Sequence, residues 1–232
     1  MVPPKLAQHL SYKSAIALIP PSSLQPPIET VRRVYDKHFS RWPPHINLIY
    51  PFLASPSEAE GGVQQEDEQQ QSPDPQLPHL KQDIRTRICS ALQDIEPFEI
   101  RLSADPPGTF SHGARSKTVW LDPVPPNSDS SLHPLHRLQA ALQAEFRECD
   151  ADDRPFSPHL SIGQAKSSQE AQNLGEEIRK SVSSTLAEQS TNDLQERQPT
   201  VLDWYVDRVY VLERKGYYGR FAVVEEVNLG KK

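Results

Sequence analysis

The chain has 232 residues, 36% of them hydrophobic, with a mean hydropathy of −0.64 and a net charge of −6. An acidic balance argues against broad, non-specific nucleic-acid binding, and no apolar run reaches the roughly 20 residues that a membrane-crossing helix needs. The acidity is local, however: Glu58, Glu60, Glu66, Asp67, Glu68 and Asp74 fall between Ser55 and Pro75 with no Lys or Arg among them, so the rest of the chain is neutral and free to carry a basic pocket.

In chain order, Lys13 to Pro20 reads as a buried strand, near-continuously apolar and stopped by Pro20-Pro21. Ile28, Val31, Val34, Tyr35, His38 and Phe39 recur at helical spacing and predict a helix over 28–39. A strand follows over 45–52. Residues 54–76 are rich in Gln, Glu, Ser, Pro and Gly and nearly devoid of apolar side chains, which predicts a disordered insertion. Leu77, Leu80, Ile84, Ile88 and Leu92 predict a helix over 77–94, and 97–103 a strand. Pro106-Pro107-Gly108 reads as a turn, 110–117 as a polar loop and 118–122 as a strand. Leu132, Leu135, Leu138, Leu142 and Phe146 then predict a helix over 132–147, before a strand over 159–164. Ser167 and Glu170 have capping-box spacing and open a helix running to about 187. Residues 188–200 read as a loop, and 203–213 and 219–228 as two strands joined by a hairpin containing Gly216.

The order strand, helix, strand, helix, strand thus occurs twice, with a final strand added. It predicts one α+β domain over 1–232, built from two pseudo-symmetric lobes with a groove between them. The central strand of each lobe opens alike: Trp42-Pro43-Pro44-His45-Ile46-Asn47 in the first, Phe156-Ser157-Pro158-His159-Leu160-Ser161 in the second. Proline pushes the residue before it into extended backbone. Alternation then puts His45 with Asn47, and His159 with Ser161, on one strand face, with apolar residues behind them.

Two imidazoles facing one another suit phosphodiester chemistry. The neutral ring takes a proton from the attacking oxygen and the protonated one gives a proton to the leaving oxygen, both with pKa values near neutrality. The Asn47 amide and Ser161 hydroxyl can donate to non-bridging phosphate oxygens. No metal or other cofactor is called for. Trp42 and Phe156 are candidates for stacking on a base or for core packing. His112, Arg115 and Lys117 on the predicted loop, and Tyr218 and Arg220 at the last hairpin, are candidate substrate contacts. His133 and His136, three apart, have the spacing to share a metal but no third ligand in view.

His45-Ile46-Asn47 and His159-Leu160-Ser161 resemble the paired His-x-Thr/Ser motifs of the 2H phosphoesterase superfamily, the LigT-like or 2′-5′ RNA ligase-like proteins, and the duplicated element order fits their two-lobed fold. The resemblance implies a metal-independent phosphodiesterase acting on RNA-type phosphates: a 2′,3′-cyclic phosphate, a 2′-5′ linkage or a small cyclic nucleotide. His45 and His159 would be the acid–base pair, and Asn47 and Ser161 the phosphate holders. Asn47 stands where that family has Thr or Ser. Two rivals remain: a protein of the same fold that binds RNA ends or nucleotides without cleaving them, and a metal-dependent hydrolase. The expected partner is an RNA end or small nucleotide, with neither a membrane nor a protein partner, and a monomer is expected. Two cysteines in no metal-ligand spacing, Cys89 and Cys149, and an N-terminus without an apolar signal core point to the cytoplasm or nucleus.

Overall fold

A computed structural model describes residues 6–58, 79–124, 133–150, 154–189, 200–216 and 218–230. In chain order the elements are β1 (Leu10–Ser11), β2 (Ser14–Leu18), α1 (Gln25–Tyr35), β3 (Ile46–Ile49), β4 (Phe52–Leu53), β5 (Ser57–Glu58), β6 (His79–Leu80) and α2 (Gln82–Leu92). They continue with β7 (Phe98–Gly113), β8 (Ser116–Val124), α3 (Pro134–Glu145), β9 (Leu160–Ala165), α4 (Ser168–Gln189), β10 (Val201–Val206), β11 (Arg208–Glu213) and β12 (Ala222–Asn228).

Two four-stranded antiparallel sheets carry the fold, ordered β12-β11-β2-β3 and β10-β7-β8-β9. They correspond strand for strand, which gives the expected α+β architecture of two related lobes. Each lobe is nevertheless woven from both halves of the chain. Helix α1, from the first half, packs on β9 and α4 of the second sheet, while α3, from the second half, packs on β3 and α2. His45 and His159 stand immediately before β3 and β9, which lie at the edges of their sheets, not at their centres. One buried apolar cluster runs through both lobes, from Ile16, Leu18 and Ile46 to Leu121, Leu160 and Ile162. A smaller layer of Ala15, Ala17, Leu212 and Phe221 covers the other face of the first sheet, where the alanines keep that face thin.

Several expectations need correction. Helix α1 stops at Tyr35, short of residue 39, because Asp36 turns to extended backbone and its carboxylate accepts the Arg32 guanidinium and the His38 N–H. Val34, expected on the apolar stripe, is 73% exposed. Pro106-Pro107-Gly108 is no turn: β7 runs through it, and the register slips between Ser103 and Gly108. A Cβ on Gly108 would run into the Trp120 ring, so glycine is there to let the indole cross the strand. The predicted polar loop forms the arms of the β7–β8 hairpin, whose turn is at Ala114-Arg115. The predicted strand over 203–213 divides at Asp207 into β10 and β11, which join different sheets.

Of the expected insertion, residues 54–58 are ordered, and Ser57 and Glu58 pair with Leu80 and His79; residues 59–76 lie outside the described residues. The α4 start is as the sequence predicts. Ser167 Oγ accepts the Glu170 N–H at 3.1 Å, and the Glu170 carboxylate reaches back to the Lys166 N–H at 2.8 Å. Among the described residues no helix is long and apolar enough to cross a membrane.

Candidate active site

Both histidine strands carry the same irregularity. In the β2–β3 pairing, Ile16 faces Ile49 and Ala17 faces Asn47, which leaves Leu48 as an extra residue. In the β8–β9 pairing, Val119 faces Gly163 and Trp120 faces Ser161, which leaves Ile162 extra. Each β-bulge therefore falls immediately after the His-x-Asn or His-x-Ser motif. A bulge re-aims the side chains around it. Here it returns Tyr50 and Gln164, each five residues past its histidine, to the same cleft that receives Asn47 and Ser161.

The histidines are held alike. His45 Nδ1 bonds the Pro43 carbonyl at 2.8 Å, and His159 Nδ1 bonds the Ser157 carbonyl at 2.8 Å. A carbonyl oxygen can only accept, so each Nδ1 carries the proton and each Nε2 keeps its lone pair. Burial pushes His45 down to about 4, against the Pro43 bond, with Arg32 and His159 lowering it further. Burial also lowers His159, against the Ser157 bond, and His112 adds to the depression. Both rings are therefore neutral at pH 7.

The cleft has a volume of about 490 Å³. His45, Asn47, Tyr12 and Tyr50 line it from the first lobe, and Ser161, Thr118, His112 and Gln164 from the second. His159, two residues before Ser161, is outside the cleft lining and packs against Phe110 and Trp120, at ring-centroid distances of 4.9 and 6.1 Å, near enough to His45 to lower its pKa. Among the described residues, Arg32, Lys37, Arg41 and Arg214 line the cleft against a single acid, Asp36. A cationic cleft on an acidic chain suits an anionic ligand. None of these four cations was singled out by sequence pattern, nor were Tyr12, Tyr50 and Thr118. Arg41 adjoins Trp42, and Tyr50 and Gln164 match in spacing, but only the bulges make that spacing meaningful.

Trp42 stacks on His45, with centroids 4.3 Å apart and planes at 15°, and on Phe221 at 3.5 Å and 20°. A third ring contact is edge-on to Tyr50 at 5.5 Å; Trp42 lines the cleft, and its stack on His45 fixes the imidazole plane. Phe156, its counterpart in the motif, is outside the cleft lining and packs on His136 at 5.4 Å and on the core. Phe110 and Trp120 take its place beside His159. His112 does line the cleft, its Nε2 3.1 Å from Thr118 Oγ1. Lys117 points away, donating to Ser111 beside a separate groove under α4. Arg115 is at the exposed hairpin tip. Tyr218, 86% exposed, and Arg220, also exposed, are absent from the cleft lining. His133 has both ring nitrogens engaged: Nδ1 accepts the Leu135 N–H at the start of α3, and Nε2 donates to the Pro123 carbonyl. It therefore has no lone pair for a metal, and among the described residues no three His, Cys, Asp or Glu side chains cluster as metal ligands.

The model of the 2′-5′ RNA ligase superfamily matches residues 20–217. Similar solved structures include E. coli LigT complexed with 3′-AMP (12% identity, TM-score 0.49, covering 95% of this chain and 99% of that one). A crystal structure of a phosphoesterase is similar at 12% identity and a TM-score of 0.47, covering 95% and 99%. TT0787 of Thermus thermophilus is similar at 15% identity and 0.45, covering 95% and 100%. No curated protein matches the chain. The family match spans both histidine strands and most of the chain between and around them, and on it the chain belongs to the 2′-5′ RNA ligase superfamily.

Proposed function

We propose that the protein is a metal-independent phosphodiesterase for RNA-type phosphates, meaning a 2′,3′-cyclic phosphate, a 2′-5′ linkage or a small cyclic nucleotide. Its family supports phosphodiester chemistry of this type. What carries the reading is the matched pair of 2.8 Å bonds from Nδ1 to the carbonyl two residues upstream, which leaves a lone pair on each Nε2, together with one cationic cleft lined by His45, Asn47 and Ser161.

In hydrolysis, His45 Nε2 takes a proton from water as its oxygen bonds to phosphorus. The bond from phosphorus to the ribose 2′ or 3′ oxygen breaks, and protonated His159 gives its proton to that oxygen. Exchange with solvent then resets both rings. His45 is the base because its stronger depression keeps it neutral. His159 becomes the acid once a bound phosphate anion raises its pKa. Asn47 and Ser161 hold the non-bridging oxygens, and Asn47 reaches further than a hydroxyl would.

The test is an assay with chelator present, on the four nucleoside 2′,3′-cyclic monophosphates and a short 2′-5′-linked oligonucleotide. Wild type is expected to turn over at least one of them. His45→Ala and His159→Ala should each lose roughly 10²- to 10⁴-fold in kcat with circular dichroism unchanged. Wild-type activity in the double variant, or activity that appears only with a divalent ion, would overturn the mechanism. Stoichiometric binding with no product would assign the cleft to an end-binding protein instead.

A further inference from the structure

Arg32 lies on the buried face of α1 and is only 2% exposed. Its Nε and Nη2 donate to Asp36 Oδ2 at 3.0 and 2.6 Å, and Nη2 also donates to the Trp42 carbonyl at 3.1 Å. Nη1 is buried with no partner. An unmet donor on a buried charge carries its desolvation penalty with nothing to offset it, and native structures keep few of them. Asp36 does not relieve it. Its oxygens already take two Arg32 nitrogens, the His38 N–H at 2.9 Å and Gln164 Nε2 at 3.2 Å. The guanidinium fork is fixed on one side by this carboxylate and by the carbonyl leading into the first histidine strand, so Nη1 is left over in a side chain that forms part of the cleft wall. A second orphan lies on the same wall: Asn47 Oδ1 is buried without a partner. A half-turn of that amide exchanges Oδ1 for the NH₂ group, which puts a donor in place of the unpaired acceptor on a residue that lines the cleft with His45. Lys37, Arg41 and Arg214 make the surrounding field positive.

We infer that Arg32 is a phosphate-binding residue of this cleft, offering Nη1 to an anionic oxygen held between the two histidine strands. The inference rests on the phosphodiester reading of the site and adds a residue outside the two motifs. Asp36 is then the positioning residue. It offsets the buried charge, aims the fork, and through Gln164 ties it to the second histidine strand, while Gln164 Oε1 accepts the Lys37 N–H at 3.0 Å. Arginine is required because one guanidinium can hold a carboxylate with two nitrogens and still present a third.

The test is calorimetric titration of the full chain with inorganic phosphate. Arg32→Gln/Asp36→Asn removes both buried charges and leaves the net charge unchanged. Arg32→Lys keeps the ion pair but has no nitrogen to spare, and it keeps the test open if the double variant does not fold. Both should lose phosphate affinity by roughly tenfold or more while still unfolding in one cooperative thermal transition. Unchanged affinity in a folded variant overturns the inference, as does a wild type that binds no phosphate. Turnover assays on the same proteins separate the two claims. An active wild type whose Arg32 variants bind phosphate normally rejects Arg32 alone. A wild type inactive on every phosphodiester that still binds phosphate through Arg32 rejects the enzyme reading alone.

Discussion

The depressed pKa of His45 makes the stability of the protein depend on pH in a way that can be measured without knowing the substrate. The ring moves from its ordinary 6.5 to about 4 in the folded chain. Between these values the unfolded chain binds a proton that the folded chain does not, so acid favours unfolding. The stabilisation is fully present above pH 6.5 and is lost as the pH falls toward 4. The fall from 6.5 to about 4, at about 1.36 kcal/mol per pH unit, gives on the order of 3 kcal/mol over that window. That is a sizeable share of the roughly 5–15 kcal/mol that holds a typical domain together. His45→Asn isolates the effect, because its amide does not titrate yet can still donate to the Pro43 carbonyl. The assay is urea denaturation of wild type and His45→Asn at half-unit steps from pH 4 to 8. The difference between the two unfolding free energies should be flat above 6.5 and change by about 3 kcal/mol below it. Parallel curves would show that His45 is not held neutral by burial, and the reason for making it the base would go with them.

Two further perturbations test the supports of the site. Trp42→Ala removes the ring wedged between His45 and Phe221; it should lower stability by about 2–4 kcal/mol in thermal denaturation and cut turnover, with Trp42→Phe recovering much of both. If Trp42→Ala leaves turnover intact, the stack does not orient His45. In Gly163→Ala the new Cβ would sit 2.7 Å from Tyr35 Cβ and 2.9 Å from the Tyr35 carbonyl oxygen, forcing α1 off β9. The expected cost is about 1–3 kcal/mol, and an unchanged melting temperature would mean that α1 and β9 are not packed as described.

The two histidine motifs were legible because they depend on short-range rules: proline before histidine, then alternation along a strand. Helices α3 and α4 were legible for the same reason, their apolar residues recurring at a period that one element satisfies alone; α2 was legible from Ile84, Ile88 and Leu92, but Leu80, expected in the same helix, belongs to β6. The weave of the lobes was not, since nothing in α1 itself says that its apolar face belongs on β9. The split at Asp207 did leave a trace. Leu202, Trp204 and Val206 are buried at a spacing of two, and Val209 and Val211 resume it one place out of phase, which is what a chain changing sheets must do. The bulges at Leu48 and Ile162 left none, because an extra apolar residue in an apolar strand does not disturb the pattern. Arg32 was hidden for another reason. On helical periodicity it sits beside Val31 on the buried side, and a sequence pattern does not say whether a buried arginine serves the core or a cleft.

Duplication alone does not say which ring is acid and which is base. The matched carbonyl bonds give both histidines the same tautomer, and two identical rings can share one proton without fixing which of them holds it. What separates them is the part of the structure that did not stay symmetric. His45 is pressed between Trp42 and the sheet and lies in the field of the buried Arg32, so its proton is strongly disfavoured. His159 meets Phe110 and Trp120 instead, has no arginine among the groups that lower its pKa, and keeps more of its basicity. On the proposed mechanism, the repeat places two equivalent nitrogens around the substrate, and the divergence of their surroundings decides which gives a proton and which takes one.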